Sequence, residues 1–427
     1  YFELAFLPNM EDKGFKTSLW LCVVLLSGSL TFASLTYDDF DECLYRLKEV
    51  LVQEVLSDVG VSLMRQNQQS GTSFVYSDLQ VVQELLNVFY LGSPTIRKRI
   101  KTYLAIRGDN CYTGLCRSFD TIVDDMQKSL GRPNFDYNSM FYGDARSVYK
   151  HTYAGCGDKR TLEFQFRQDT QEIINMNYQT VLKYDNVQCI KKNLSPDTRF
   201  FLLSCLKTKP AMLGNILSYE YNYPFIDLNG GRHFIEWLGT TGKFWTVRTQ
   251  SLPFQSDPFL TCGFQVYRTE INKGQQYMLY FMPYLRSYSK FMHNKCLEEI
   301  LFNQRMYVTQ TIDKTIEVYQ EYPSDFTLLL APVMNISTEN DLLQHLRPVM
   351  PEIFQRKEIT NLYTEDVRLS DLRTCDYIYN KDREYEKGTV PTKAFQIGLL
   401  DYPFVFTLVD KETKIFMKTG VYFGPQS

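Results

Sequence analysis

The chain has 427 residues, of which 44% are hydrophobic, 15% aromatic and 22% charged, a composition that supplies a substantial core beneath a wetted exterior, as in a soluble globular protein. Its formal net charge of −3 excludes a general attraction for polyanions and argues against nucleic acid as a partner. The N-terminus reads as a targeting segment. Met10 is followed by Lys13 and Lys16, an apolar run from Leu19 to Leu26, and small residues through Ala33 and Ser34. This is the plan of a secretory signal cut between Ala33 and Leu35; Tyr1 to Asn9 precede the candidate initiator Met10 and are either translated leader or foreign to the natural chain. The apolar run is too short to span a bilayer. We therefore expect residues 1–34 to be leader and 35–427 to form a single secreted, extracellular domain, monomeric and not inserted in a membrane.

Downstream, the apolar spacing of Asp41 to Leu63 and of Leu79 to Leu91 predicts helices, and short strand-like runs dominate from Phe200 onward. Helices recur at Cys296 to Phe302 and Asp341 to Leu346. Helices first and strands later suit an α+β domain. No repeat, low-complexity tract or Pro, Gly or Ser-rich linker divides the chain. With Cys22 in the leader, nine cysteines remain, so at least one is unpaired or intermolecular. Cys111 and Cys116 flank a turn, Tyr112 to Leu115, which predicts a small disulfide loop. The sequons at Asn193 and Asn335 predict glycan sites, the first weakened by Pro196. The basic run Arg97, Lys98, Arg99 and Lys101 offers a glycosaminoglycan contact, against the commoner reading of a solvated helix face.

Enzyme chemistry finds no purchase. His151, His233, His293 and His345 form no spaced metal pair, and no serine sits in a nucleophile-elbow context. Gly230 and Gly231 lack the glycine spacing and the Lys-Ser/Thr pair of a phosphate loop, so they read as a turn. We expect no catalytic residue, no metal and no cofactor.

The C-terminal stretch from Glu384 to Pro425 carries the strongest pattern. Tyr402 to Val409 and Ile415 to Phe423 are aromatic and β-branched runs joined by Asp410 to Lys414, which predicts neighbouring antiparallel strands. Phe404, Phe406 and Leu408 share one face and Val405, Thr407 and Val409 the other, so both faces are at least half buried. Upstream, residues 74–92 combine a strand with a long apolar helix opened by Ser77 and closed by Leu91-Gly92. Phe200 to Lys209, Tyr277 to Pro283, Asp341 to Phe354 and Val367 to Ser370 then follow in order. From Tyr37 to Pro425 that succession resembles a serpin. The resemblance implies helices packed around a large central mixed sheet, with smaller sheets beside it, and an exposed reactive loop.

In that reading Glu386, Lys387, Gly388 and Thr389 open the hinge of the loop, and the scissile region is Thr392, Lys393 and Ala394. A serpin inhibitor is a suicide substrate: the protease cuts the loop, and the loop's N-terminal half enters the central sheet. Here Val390 and Pro391 stand where inhibitors carry small residues, and proline cannot donate to a sheet ladder. Only about five residues separate Gly388 from the scissile region, too few for a full strand at about 3.3 Å per residue. Gln80 replaces a second small hydroxyl that supports sheet opening, Met212 an expected tryptophan, and Thr374 an expected histidine. These departures imply a secreted, non-inhibitory member acting by binding an extracellular ligand. The alternative is an inhibitor of a trypsin-like serine protease with Lys393 as bait, and a weaker third reading is reversible inhibition without insertion.

Overall fold

The computed structural model describes residues 40–52, 56–106, 114–131, 134–144, 156, 158–164, 172, 175–176, 200–210, 215–219, 223–241, 244–248, 252–254, 257–284, 289–307, 327–347, 350–351, 371–381, 385–387 and 396–425. The leader, Cys111, Asn193, Met212, the Val367 to Ser370 strand entry and residues 388–395, which include Gly388, Thr389, Pro391, Thr392, Lys393 and Ala394, lie outside them.

Helical residues 40–52 and α1 (Ser57–Asn67) form where the helical period was read. Next come α2 (Asp78–Leu91), α3 (Pro94–Tyr103) and α4 (Leu115–Leu130). Helix α2 is buried all round except at Tyr90, the environment of a helix enclosed by other elements. Gly92 follows it because the Ile96 side chain comes within 2.5 Å of where a Cβ would sit. In α3, Ser93 caps the first turn by accepting the Ile96 N–H, with Pro94 at the first helical position. Later helices are α5 (Lys290–Tyr307) and α6 (Leu342–Leu346), whose N-cap Asp341 accepts from the Leu343 and Gln344 amides.

The six-stranded sheet runs β1 (Phe74–Tyr76), β19 (Phe416–Tyr422), β18 (Phe404–Asp410), β13 (Gln276–Pro283), β12 (Phe264–Ile271), β9 (Phe244–Arg248), all antiparallel. The C-terminal hairpin is thus as read, with Phe404 opposite Tyr422 and both faces buried along β18 and β19. Gly420 is required in β19, because a Cβ there would meet the Phe74 carbonyl oxygen at 2.3 Å and the Phe406 ring at 2.5 Å.

The five-stranded sheet runs β15 (Asn335–Asp341), β16 (Asp371–Tyr379), β4 (Phe200–Thr208), β2 (Phe135–Asp144), β3 (Asp158–Phe164). Two of its strands lie in the half of the chain that reads as helical. Strand β2 mixes Asp136, Asn138 and Ser139 with its aromatics and so lacks a clean apolar alternation; it forms through pairing with β4 and contact of Tyr137 with Phe119 of α4. A third sheet runs β17 (Gln396–Leu399), β14 (Thr327–Pro332), β8 (Trp237–Thr241), β5 (Asn215–Tyr219). Two hairpins complete the set: β6 (Phe225–Ile226) with β7 (Arg232–His233), and β10 (Leu252–Phe254) with β11 (Asp257–Cys262).

Cys116 pairs with Cys156, which corrects the expected Cys111–Cys116 loop. Cys116 sits in the first turn of α4, and the Asn87 side-chain oxygen of α2 accepts the Cys156 amide at 2.9 Å, so Cys156 is delivered to it from forty residues away. Cys262 pairs with Cys296, tying β11 to α5, and Cys43 is disulfide-bonded as well.

Candidate functional site: the seam between two parallel strands

In the five-stranded sheet β15 runs antiparallel to β16, whereas β16 and β4 run parallel, in register from Asp371 opposite Phe201 to Ile378 opposite Thr208. A strand turning straight back from the end of β16 would be antiparallel to both β16 and β4. Among the described strands of this sheet, the seam between them is where it would have antiparallel neighbours on both sides. The chain leaving β16 at Tyr379 is the segment that leads to the expected reactive loop.

Two buried side chains reach that seam from the core. Gln80 of α2 donates its amide N–H to the Ser204 carbonyl of β4 at 2.7 Å and to the Cys375 carbonyl of β16 at 3.2 Å. Lys418 of β19, with no exposed surface, donates to the Leu206 carbonyl of β4 at 2.7 Å, the Tyr377 carbonyl of β16 at 2.9 Å and the Asp376 carboxylate at 3.2 Å. The ammonium has three donors, and all three are matched by acceptors on the two strands. Burial by itself pushes the Asp376 carboxyl up and the Lys418 ammonium down, and the pairing of the two opposes both shifts.

Around this pair the polar groups are interlocked. Asn340 of β15 donates to the Val75 carbonyl and the Thr374 hydroxyl, each at 3.2 Å, and to Asp376 at 3.4 Å. Thr374, read as a substitute for a histidine, is therefore an acceptor inside the network. Beside Gln80 on α2, Glu84 is fully enclosed near Asn87 and Ser204, and burial pushes its carboxyl up to about 8. Gln80 was legible only as a lost hydroxyl; its bridging role had no signal in the sequence, because both of its acceptors are backbone carbonyls distant in the chain.

At the end of β16, Asn380 accepts the Met334 amide at 2.8 Å and donates to the Pro332 carbonyl at 3.0 Å. Glu236 accepts from Ser218 at 2.7 Å and pairs with Lys381 at 3.2 Å. Beyond it, the Glu386 carbonyl accepts the Ser218 amide at 2.9 Å, and Lys387 forms an isolated parallel bridge with Ser218. Glu386 and Lys387 are thus held at the edge of β5, seven residues or more past the last residue of β16.

Other singled-out residues lie elsewhere. In α3, Lys98 and Arg99 are exposed, Arg97 and Lys101 half-buried, and Arg97 donates to the Phe89 carbonyl. Asn335 is exposed at the start of β15. His233 bonds Asp227, His293 the Pro403 carbonyl and His345 the Ser62 hydroxyl. Among the described residues no group of three or more metal-ligating side chains comes together, and no helix is long and apolar enough to cross a membrane.

No family model matches the chain, and no curated protein matches it in sequence. Solved structures do match. Uncleaved ovalbumin superposes with a TM-score of 0.67 at 15% identity, over 88% of this chain and 99% of that one. Thyroxine-binding globulin in complex with thyroxine gives 0.68 at 12% identity over 88% and 99%. Native protease nexin-1 with heparin gives 0.64 at 14% identity over 88% and 100%.

Proposed function

We propose that this chain, which has the serpin fold, is a secreted binding protein and neither an enzyme nor a protease trap. The observation that carries this reading is the clamping of the seam by Gln80 and Lys418. Admitting a strand would move β4 and β16 from about 4.8 Å apart to about twice that. An incoming strand can replace the broken ladder bonds between them, but one amide or one ammonium cannot span the wider gap. The Gln80 and Lys418 bonds to one strand would be lost, and a buried ion pair and carbonyls would be left to find new partners.

The chemistry of the connecting segment supports the same conclusion, and the position of Tyr379 changes the argument from length. Residues 380–395 separate β16 from β17, so thirteen residues, 380–392, precede a cut after Thr392, enough for a turn and a strand matching the nine of β4. Shortness therefore no longer opposes insertion. Side-chain polarity does. Alternate residues of a returning strand face the core, which puts either Glu384 and Glu386 or Arg383 and Lys387 against it. Each unpaired buried charge costs several kcal/mol. Pro391 adds a missing ladder donor.

The thyroxine and heparin of two structural neighbours fit a binding role, and the exposed Lys98 and Arg99 of α3 give a sulfated polysaccharide a matching charge. Export accords with the leader and with the disulfides, which form in oxidising compartments. The competing reading is inhibition of a trypsin-like protease with Lys393 as bait. Incubation of the purified protein with trypsin, followed by denaturing electrophoresis, separates the two. We expect cleavage without a denaturant-resistant complex; a stable covalent complex that Lys393→Ala abolishes would establish the inhibitor.

A further inference from the structure

On the face of the sheet opposite Gln80, the same seam carries two thiols. Cys205 of β4 and Cys375 of β16 are register partners, both are buried and neither is in a disulfide. Ser204 touches Gln80 and Leu206 belongs to the apolar core, so by strand alternation Cys205 points to the other face, and Cys375 beside it does the same. The two cysteines form the middle of a row across four strands, flanked by Asn138 of β2 on one side and Glu339 of β15 on the other. Glu339 is itself paired with Arg373.

We propose that Cys205 and Cys375 are a redox cross-linking site, closed by a low-molecular-weight disulfide as oxidant, that covalently joins the two strands of the seam. Neighbouring strands lie about 4.8 Å apart. That separation falls within the span of about 4.4–6.8 Å between Cα atoms that a disulfide bridges. If a strand entered between β4 and β16, the separation would rise to nearly 10 Å, beyond that span. The cross-link therefore forms only in the closed sheet and, once formed, excludes an inserted strand.

The exchange balances in two steps. One cysteine thiolate attacks the small disulfide, forming a mixed disulfide and expelling one small thiolate. The second cysteine thiolate then attacks the protein sulfur of that mixed disulfide and expels the other. The two cysteines are oxidised by two electrons, the small disulfide is reduced to two thiols, and the two protein protons leave with them. Because both thiols are buried, the first attack requires a local opening that admits the small disulfide, and the second attack closes the cross-link once the two strands are back in register.

The proposal is independent of whether the chain traps proteases. The test uses the full secreted protein, incubated in native buffer with oxidised glutathione, then denatured, alkylated, digested and analysed by mass spectrometry. We expect the Cys205 and Cys375 peptides to be recovered joined, with both alkylatable thiols disappearing together. Cys205→Ser should leave Cys375 either alkylatable or capped by glutathione, and never joined. Recovery of both cysteines as alkylatable thiols, or as separate glutathione adducts in the parent protein, overturns the proposal.

Discussion

Replacing Lys418 by Met isolates the clamp. The side chains are close in volume, so the change removes charge and hydrogen bonds while filling the site. It leaves the Asp376 carboxylate, with no exposed surface, without its cation, and removes the Lys418 bonds to the Leu206 and Tyr377 carbonyls. Breaking a fully buried pair from one side costs about 3–5 kcal/mol. In the variant, the unpaired carboxyl is raised further by burial, so the native state holds a proton that the unfolded chain releases. Because the parent's Asp376 carboxyl is already raised to about 7, the two proteins lose stability alike below that pH, and the deficit should grow as pH rises above about 7. Changing Asp376→Leu together with Lys418→Met removes the stranded charge and should restore stability to within about 1–2 kcal/mol of the parent. Equilibrium urea unfolding, followed by circular dichroism and tryptophan fluorescence with linear extrapolation, measures all three proteins. A loss below about 1 kcal/mol in the single variant, or a double variant less stable than the single one, would refute the idea that this pair binds the two strands.

Glu84→Gln tests the neighbouring carboxyl: its folded pKa is raised from 4.5 to about 8, so its stabilisation is full below 4.5 and is lost as pH rises towards 8. Relative to the variant, the parent should lose about 2–3 kcal/mol between pH 5 and 7, at roughly 1.4 kcal/mol per unit, and parallel profiles would contradict this. Limited digestion between Lys393 and Phe395 should leave the melting temperature nearly unchanged, because the new end cannot enter the clamped seam; a large upward shift would overturn the non-inhibitory reading. Pro391→Ala alone should not produce covalent trapping of trypsin, since the charges at 383–387 and the Gln80 and Lys418 bonds remain. Lys98→Ala with Arg99→Ala should shorten retention on a heparin column in low salt, and an unchanged elution position would remove α3 as the polysaccharide contact.

Elements whose signal is local could be read from the chain alone. The β18 and β19 hairpin could be read from its two apolar runs and the polar turn between them, and α2 from its unbroken apolar period, because hydrophobic periodicity depends only on neighbours in the chain. The succession of such elements was enough to indicate the fold. Strand β2 was missed because its polar residues break the alternation and only pairing with β4 selects it. The Cys116 partner, the Gln80 bridge and the Lys418 clamp were equally invisible, for each joins groups separated by between forty and more than two hundred residues. A lysine in a predicted strand reads as solvent-facing; only the packing of the six-stranded sheet against the five-stranded one places its ammonium between two parallel strands. That placement depends on burial and register, and these exist only once the sheets have met.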